Sequence, residues 1–433
     1  MKNRSIPFPV LVLALMASAP LSNAAPSMEE MEARLVELQA RMAEMHIQMT
    51  ALQEELTTMK EREASATAPA SLGSPPPALP PPAGASAPAA TSKFPLRFYG
   101  KVKFDAIYDS NNFGSDEYIL YIPRNADGDA QSTFTARETR LGIAVDGPAF
   151  GDWKTAAKVE TDFYGSAPSS GSGSLRIRLA YVDLTNGQTS VRVGQDWLPI
   201  ATANPSTTNF TIMGYNGNLW GRIPQITATQ QFGEDFSGFV STFRCRDEED
   251  IEHGLSCDLV MPWVAAGLRL QGRLLDDKKN ATLAIGGAVR NGDVEGRSVT
   301  PDLLSAEFSI PWKALTLNGE IYSGKGIGAE FLHRNGAFNL RGEPIHTRGG
   351  FLQLGLQAAA AVRVHVGYGI DDPDNDDLVD DEFFQKSTSL FGNAIYAFTP
   401  ELSAILEGTL VETTWSDGPE DGYRIQSSLV FVW

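Results

Sequence analysis

The last eleven residues alternate. Taking every second position gives Tyr423, Ile425, Ser427, Leu429, Phe431 and Trp433 on one side, with Arg424, Gln426, Ser428, Val430 and Val432 on the other. A period of two is the mark of a strand. The same design recurs from Phe94 onward. In 97–108, Phe98, Val102, Phe104 and Tyr108 share a side, and Lys101, Lys103 and Asp105 share the other. In 153–163, Trp153, Val159 and Phe163 oppose Lys154, Lys158, Glu160 and Asp162. In 175–181, Leu175, Ile177, Leu179 and Tyr181 oppose Arg176 and Arg178; in 362–370, Val362, Val364, Val366, Tyr368 and Ile370 oppose Arg363 and His365. No helical period of useful length interrupts this region.

Alternation fits a water-soluble sandwich with its apolar face inward, or a barrel with its apolar face turned to lipid. Length and turn spacing separate the two. Residues 93–433 are long for one sandwich, whereas strands of about ten residues would use them for roughly 14 to 18 staves of a transmembrane barrel. Short turns at 146–148 and 398–402 alternate with long polar loops near 110–130, 197–221, 325–346 and 371–386. That asymmetry is the outer-membrane pattern. An aromatic face running to the chain's final atom would invite aggregation in water, but it suits a strand whose outer side meets lipid.

The first quarter reads differently. In residues 1–24, Lys2 and Arg4 precede an apolar run from Val10 to Ala17, with Ser22 and Ala24 at the cleavage pattern. This is a secretory signal, and the run is too short to span a bilayer. In 25–63, Met28, Met31, Leu35, Leu38, Met42, Met45, Met49, Leu52, Leu56 and Met59 recur at spacings of three and four. That is a coiled coil, predicting self-association; Leu and Met at its core positions leave two or three strands open. Residues 64–92 turn to Ala, Pro and Ser around Pro75–Pro82 and form an extended linker.

Composition narrows the function. The formal charge of −18 argues against a nucleic-acid partner. Two cysteines exclude a disulfide framework, but Cys245 and Cys257, flanking an acidic loop, are expected to pair in an oxidising compartment; two free thiols are the alternative.

The sequence resembles the DcaP-like family of trimeric Gram-negative outer-membrane porins. The resemblance rests on the heptads of 28–59, Phe98-Tyr-Gly-Lys101, Leu175-Arg-Ile-Arg-Leu-Ala-Tyr181, Val193-Gly-Gln-Asp-Trp197, Arg222-Ile-Pro-Gln225, Gly367-Tyr-Gly-Ile-Asp-Asp-Pro373 and the terminal Phe431-Val-Trp433, in that order. It implies an all-β transmembrane barrel of about 16 antiparallel strands behind an N-terminal α-helical coiled coil in the periplasm. It also implies a homotrimer and passive uptake of small anionic organic solutes, including dicarboxylates. Porins commonly end in phenylalanine; Trp433 departs mildly from that at the strand expected to address the barrel-insertion machinery.

Cations on the polar side of the strands form the candidate pore lining: Lys101, Lys103, Arg140, Lys154, Lys158, Arg176, Arg178, Arg192, Arg269, Arg363 and Arg424. Cations ringing a pore favour anions. Alternatively each pairs with a wall carboxylate such as Asp105, Glu160, Asp162 or Glu320. Arg176 and Arg178 stand out because their own strand carries no acid beside them, while Arg137 has the opposite parity to Arg140 and signals a bulge or an outward contact. The resemblance suggests that loop 197–221 folds inward and brings Asn204, Asn209 and Tyr215 to a constriction; an outward surface loop is the alternative.

The acidic run from Asp371 to Asp377, with Asp380, Asp381 and Glu382, is either a solvated loop or a cation site bridging lipopolysaccharide phosphates. No catalytic constellation emerges, and no cofactor or metal is expected. Two rivals to a porin remain: a peptidoglycan tether anchored by the barrel, and an outer-membrane hydrolase using His365.

Overall fold

The computed structural model of the chain describes residues 92–433 apart from 127, 129, 166–172, 245–256, 259–260, 277, 295, 332–336 and 380–382. The expected signal, coiled coil and linker up to residue 91 lie outside the described residues. So do Cys245, the side chain of Cys257, and Asp380, Asp381 and Glu382.

The alternating segments become β1 (Leu96–Asp109), β2 in two pieces (Gln131–Thr135 and Arg140–Asp146), β3 (Lys154–Asp162), β4 (Arg176–Asn186), β5 (Thr189–Trp197), β6 (Arg222–Gln231), β7 (Phe236–Phe243) and β8 (Trp263–Gly272). The second half supplies β9 (Ala281–Val289), β10 (Asp302–Trp312), β11 (Leu315–Lys325), β12 (His346–Ala359), β13 (Val362–Pro373), β14 (Lys386–Ala397), β15 (Leu402–Trp415) and β16 (Gly418–Val432). Each strand pairs antiparallel with the next. The last returns to the first, from Lys101 opposite Val432 to Asp109 opposite Arg424. The result is a closed barrel of sixteen strands with no free edge. A bilayer offers no water to unpaired N–H and C=O groups, so closure is the condition for crossing it with strands.

The side chains are distributed inside out. Ile321 is 65% exposed on the outer face, while its neighbour Glu320 is 0% exposed on the inner one. Along β16, Tyr423, Ile425, Leu429, Phe431 and Trp433 lie outward and exposed, and Arg424, Gln426 and Ser428 are buried inward. Buried polar groups facing a band of exposed Leu, Ile, Val and Phe rule out a water-soluble sandwich. At the short-turn end, Phe150 with Trp153, Phe232 with Phe236, Tyr396 with Phe398 and Phe431 with Trp433 form aromatic pairs 4.9–6.4 Å apart. Rings at this level are the girdle expected at a membrane interface.

Short turns such as 187–188, 313–314 and 360–361 lie at one end, and seven of the eight loops at the other are long. Among these, 163–175 and 290–301 escaped the sequence reading, and 244–262 extends the loop expected between Cys245 and Cys257. The loop from 244 to 262 includes Cys257–Asp258, which pairs with Gly292–Val294 of the next loop, itself paired to Arg297–Val299, in a small external sheet. Arg137 sits in the break between the two pieces of β2, which accounts for its parity.

The barrel closes at Gly100. Its N–H donates to the Trp433 carbonyl and the Trp433 N–H donates back to its carbonyl, each at 3.2 Å. A Cβ at Gly100 would stand 2.4 Å from the Arg140 carbonyl and 2.5 Å from the Trp433 ring. Gly100→Val is therefore expected to cost about 1–3 kcal/mol through overpacking, lowering the urea midpoint and the fraction of folded, heat-modifiable barrel on unheated gels.

Candidate functional site

Loop 198–221 leaves the top of β5 and folds into the barrel instead of outward. It is bonded to the wall along most of its length. Thr202 N–H and Ala203 N–H donate to Glu307 of β10, each at 2.6 Å. Ser206 N–H donates to Gln353 of β12 at 2.5 Å, Thr208 N–H to Glu407 of β15 at 2.7 Å, and the Asn216 amide to Ser387 of β14 at 2.7 Å. Leu219 N–H donates to Glu320 of β11 at 2.8 Å. Lys103 of β1 donates to the Thr208 carbonyl at 2.6 Å. Gly217 adopts φ +106° where its Cα meets the backbone of β13, with room for no side chain: a Cβ there would lie 2.3 Å from the Gly350 carbonyl. Both ends are anchored in the apolar cluster inside the barrel, where Leu198, Ile200 and Leu219 pack with Phe243, Trp263 and Phe331.

Two spaces flank the loop. The inner cavity, about 220 Å³, is lined by Lys101, Lys103, Arg140, Arg178, Arg222 and Arg363, by a single carboxylate, Glu138, and by Trp197, Trp220, Ile395, Ile405 and Val430. The outer one, about 490 Å³, is bounded by Asp116, Glu117, Tyr118, Arg137, Tyr164 and Arg176. Phe210 lines both, its ring stacked on Tyr164 at 4.1 Å. Burial, and then the carboxylates of Glu138, Glu117 and Asp105, raise the Tyr164 hydroxyl well above the ordinary tyrosine pKa, so it stays neutral as a hydrogen-bonding group.

The expected lining cations divide by what they touch. Lys101, Lys103 and Arg140 converge on Glu138. Arg269 meets Glu307 at 3.0 Å. Arg192 bridges Asp183 and Asp196 beneath the Tyr181 ring. Lys158 lies 4.7 Å from the Tyr99 ring, and Lys154 is exposed at the short-turn end of β3. Arg363 faces the inner cavity with no carboxylate partner among the described residues.

Arg176 and Arg178 require a correction. Although no acid lies beside them on their own strand, β3 supplies partners: Arg176 grips Asp162 at 2.8 and 3.1 Å, and Arg178 joins Glu160 at 2.8 Å to Asp162 at 2.9 Å. A bulge makes this fit. The register of β3 on β4 shifts between Glu160 and Thr161, skipping Arg178 and placing it between the two carboxylates. Beyond the shift the faces exchange, so Leu179 is buried and Tyr181 turns inward opposite Lys158. Arg424 is also corrected: it is 1% exposed, clamped on Asp109 at 2.7 Å with Phe113 against it, and presents no charge to the inner cavity. Of the expected loop residues only Asn209 lines that cavity; Asn204 bonds within the loop and Tyr215 packs near Tyr121. His365 shares its Nδ1 with the Asn393 amide oxygen at 2.9 Å.

The acidic run is held by protein partners. Asp371 is buried on Tyr322, Asp372 pairs with Arg348, and Asp377 accepts from His346 N–H. Among the described residues no group of three or more His, Cys, Asp or Glu is arranged to hold a metal.

Residues 83–228 match the model of the DcaP outer membrane protein family. The outer membrane channel DcaP of Acinetobacter baumannii superposes with a TM-score of 0.70 at 21% identity, over 79% of this chain and 99% of that one. The resemblance to the DcaP family is thereby shown over residues 83–228, and the superposition shows a shared barrel fold. An anion-selective porin from Comamonas acidovorans matches at a TM-score of 0.54 and 13% identity, covering 79% of this chain and 100% of that one. The trimer form of OmpT from Vibrio cholerae matches at 0.51 and 10%, covering 78% and 99%. No curated protein sequence matches the chain.

In this DcaP-like barrel, sequence reasoning missed Arg222. Alternation along β6 sends it outward with Pro224 and Ile226, but it is the strand's first residue and lines the inner cavity, its guanidinium 5.0 and 5.3 Å from the Trp197 and Trp220 rings. No described carboxylate pairs with it. Two tryptophans bracketing a strand entry were the available signal. Arg178→Gln is expected to destabilise the barrel by about 3–5 kcal/mol, because it takes the cation from buried Glu160 and leaves Asp162 to Arg176 alone, whereas Arg222→Gln leaves the urea midpoint nearly unchanged.

Proposed function

We propose that this outer-membrane, porin-like barrel passes small anionic organic solutes by passive diffusion, dicarboxylates among them. The observation that carries the reading is the lining of the inner cavity, where six cations face one carboxylate. A narrow aqueous path between low-dielectric walls focuses such a field, lowering the barrier to anions and raising it to cations. Arg222 and Arg363 are the residues expected to meet the solute, since no described carboxylate neutralises them. Lys101, Lys103, Arg140 and Arg178 supply a background field tempered by Glu138, Glu160 and Asp162. Apolar Ile395, Ile405 and Val430 accommodate an organic body beside its charged ends.

The working unit in this reading is a homotrimer in the outer membrane, with residues 25–63 as a periplasmic coiled coil on the 64–92 linker. Its C-terminal strand addresses the insertion machinery and its long loops lie among lipopolysaccharide. Mild-detergent mass measurement should give three copies per particle.

Arg222→Gln with Arg363→Gln should shift the zero-current potential in a salt gradient toward cations and weaken block by a dicarboxylate. The wild-type preference itself should fade as salt rises, since the Debye length falls from about 10 Å at 0.1 M to about 3 Å at 1 M. Unchanged potential and block in the double variant would sink the assignment of these two arginines.

A further inference from the structure

Loop 198–221 contains no Asp, Glu, Lys, Arg or His. It is a neutral strip laid through a heavily charged lumen, and what it lies on is uneven. Glu307, Glu320 and Glu407 of β10, β11 and β15 are 6%, 0% and 2% exposed beneath it. Each has at least one oxygen capped by a loop backbone N–H: Thr202 and Ala203 on Glu307, Leu219 on Glu320, Thr208 on Glu407. The Thr207 hydroxyl and Asn393 amide complete the shell of Glu407 at 2.5 and 2.9 Å. Only Glu307 among the three has a cation, Arg269. Toward the basic side the Thr208 carbonyl accepts from Lys103, and the Phe210 and Trp220 rings lie 5.4 and 5.3 Å from the guanidinium groups of Arg176 and Arg222. At Thr208 the chain therefore offers its N–H to an anion and its carbonyl to a cation, and it runs along the border between an acidic and a basic arc of wall.

We propose that this loop is an electrostatic screen: by covering the carboxylates of β10, β11 and β15 it leaves the cations of β1, β2, β4, β6 and β13 as the charges that solutes meet. N–H dipoles aimed at a carboxylate oppose its field, and the loop's thickness removes it from contact with pore water. A chain of net charge −18 thereby acquires a basic constriction. The inference rests on the anion-pore reading and adds the device that sorts the charges. A loop that only narrowed the pore would set conductance and leave the sign of selectivity to the wall.

The test is the zero-current potential of the full-length protein in planar bilayers across a potassium chloride gradient. Three variants each remove one inner-wall carboxylate: Glu138→Gln, which faces the cavity, and Glu320→Gln and Glu407→Gln, which the loop covers. Glutamine keeps the acceptor that each covered site uses: its carbonyl oxygen can accept from Leu219 N–H at position 320, or from Thr208 N–H and the Asn393 amide at position 407, where the Thr207 hydroxyl can accept from the new amide. Glu138→Gln should move the potential toward stronger anion preference, and the other two should leave it in place. A shift from Glu320→Gln or Glu407→Gln as large as that from Glu138→Gln overturns the screen. Replacing residues 203–218 by a short Gly/Ser linker should raise conductance and move the preference toward cations, and adding both covered-site substitutions should restore it. Higher conductance with the anion preference intact overturns the screen while leaving the porin reading standing; a wild-type protein without anion preference overturns both. If the shortened chain does not insert, the point variants decide alone.

Discussion

Everything in this molecule depends on the return of β16 to β1. Pairing Lys101–Asp109 with Arg424–Val432 satisfies the two backbone edges that a lipid environment would leave bare, at the cost of several kcal/mol for each group. Once the ladder is closed, strand alternation has only two destinations, lipid and lumen. Apolar residues take the first, and the charges in the middle of the staves, such as Glu160, Glu320 and Glu407, are sent to the second. The polar interior follows from closure, and it brings acids and bases together in a confined volume.

Confinement explains the pairing. Asp162 and Arg178 face each other from adjacent strands with almost no exposure, and Asp109 and Arg424 do the same across the closing strands. Such pairs fix wall geometry and contribute little net field. What remains for a passing solute is set by the few cations left over, and by which carboxylates are out of reach behind the inward loop.

The barrel was largely legible in the sequence because its determinant is local: a period of two, read from Tyr423 to Trp433 or from Val362 to Ile370, specifies both a strand and its two faces. The lumen was less legible because its determinants are relations between strands. Arg178 looked unpaired since its partners, Glu160 and Asp162, are on β3, and a one-residue bulge that no periodicity announces brings it between them. Arg222 was hidden for a related reason: at the first residue of β6 the parity rule gives way to the path of the incoming loop. Arg424 was assigned correctly to the inner side, but no strand pattern shows that Phe113, Ser115 and Asp116 of the first long loop pack over it.

The inward loop also has a mechanical role. It is tied to β1, β10, β11, β12, β14, β15 and β16, strands on well-separated arcs of the cylinder. A thin-walled tube yields most easily by flattening into an ellipse, a motion that costs few hydrogen bonds in its wall. A crosspiece bonded at both ends and in the middle resists that flattening, so the lateral pressure of the bilayer is borne across the diameter as well as around the circumference.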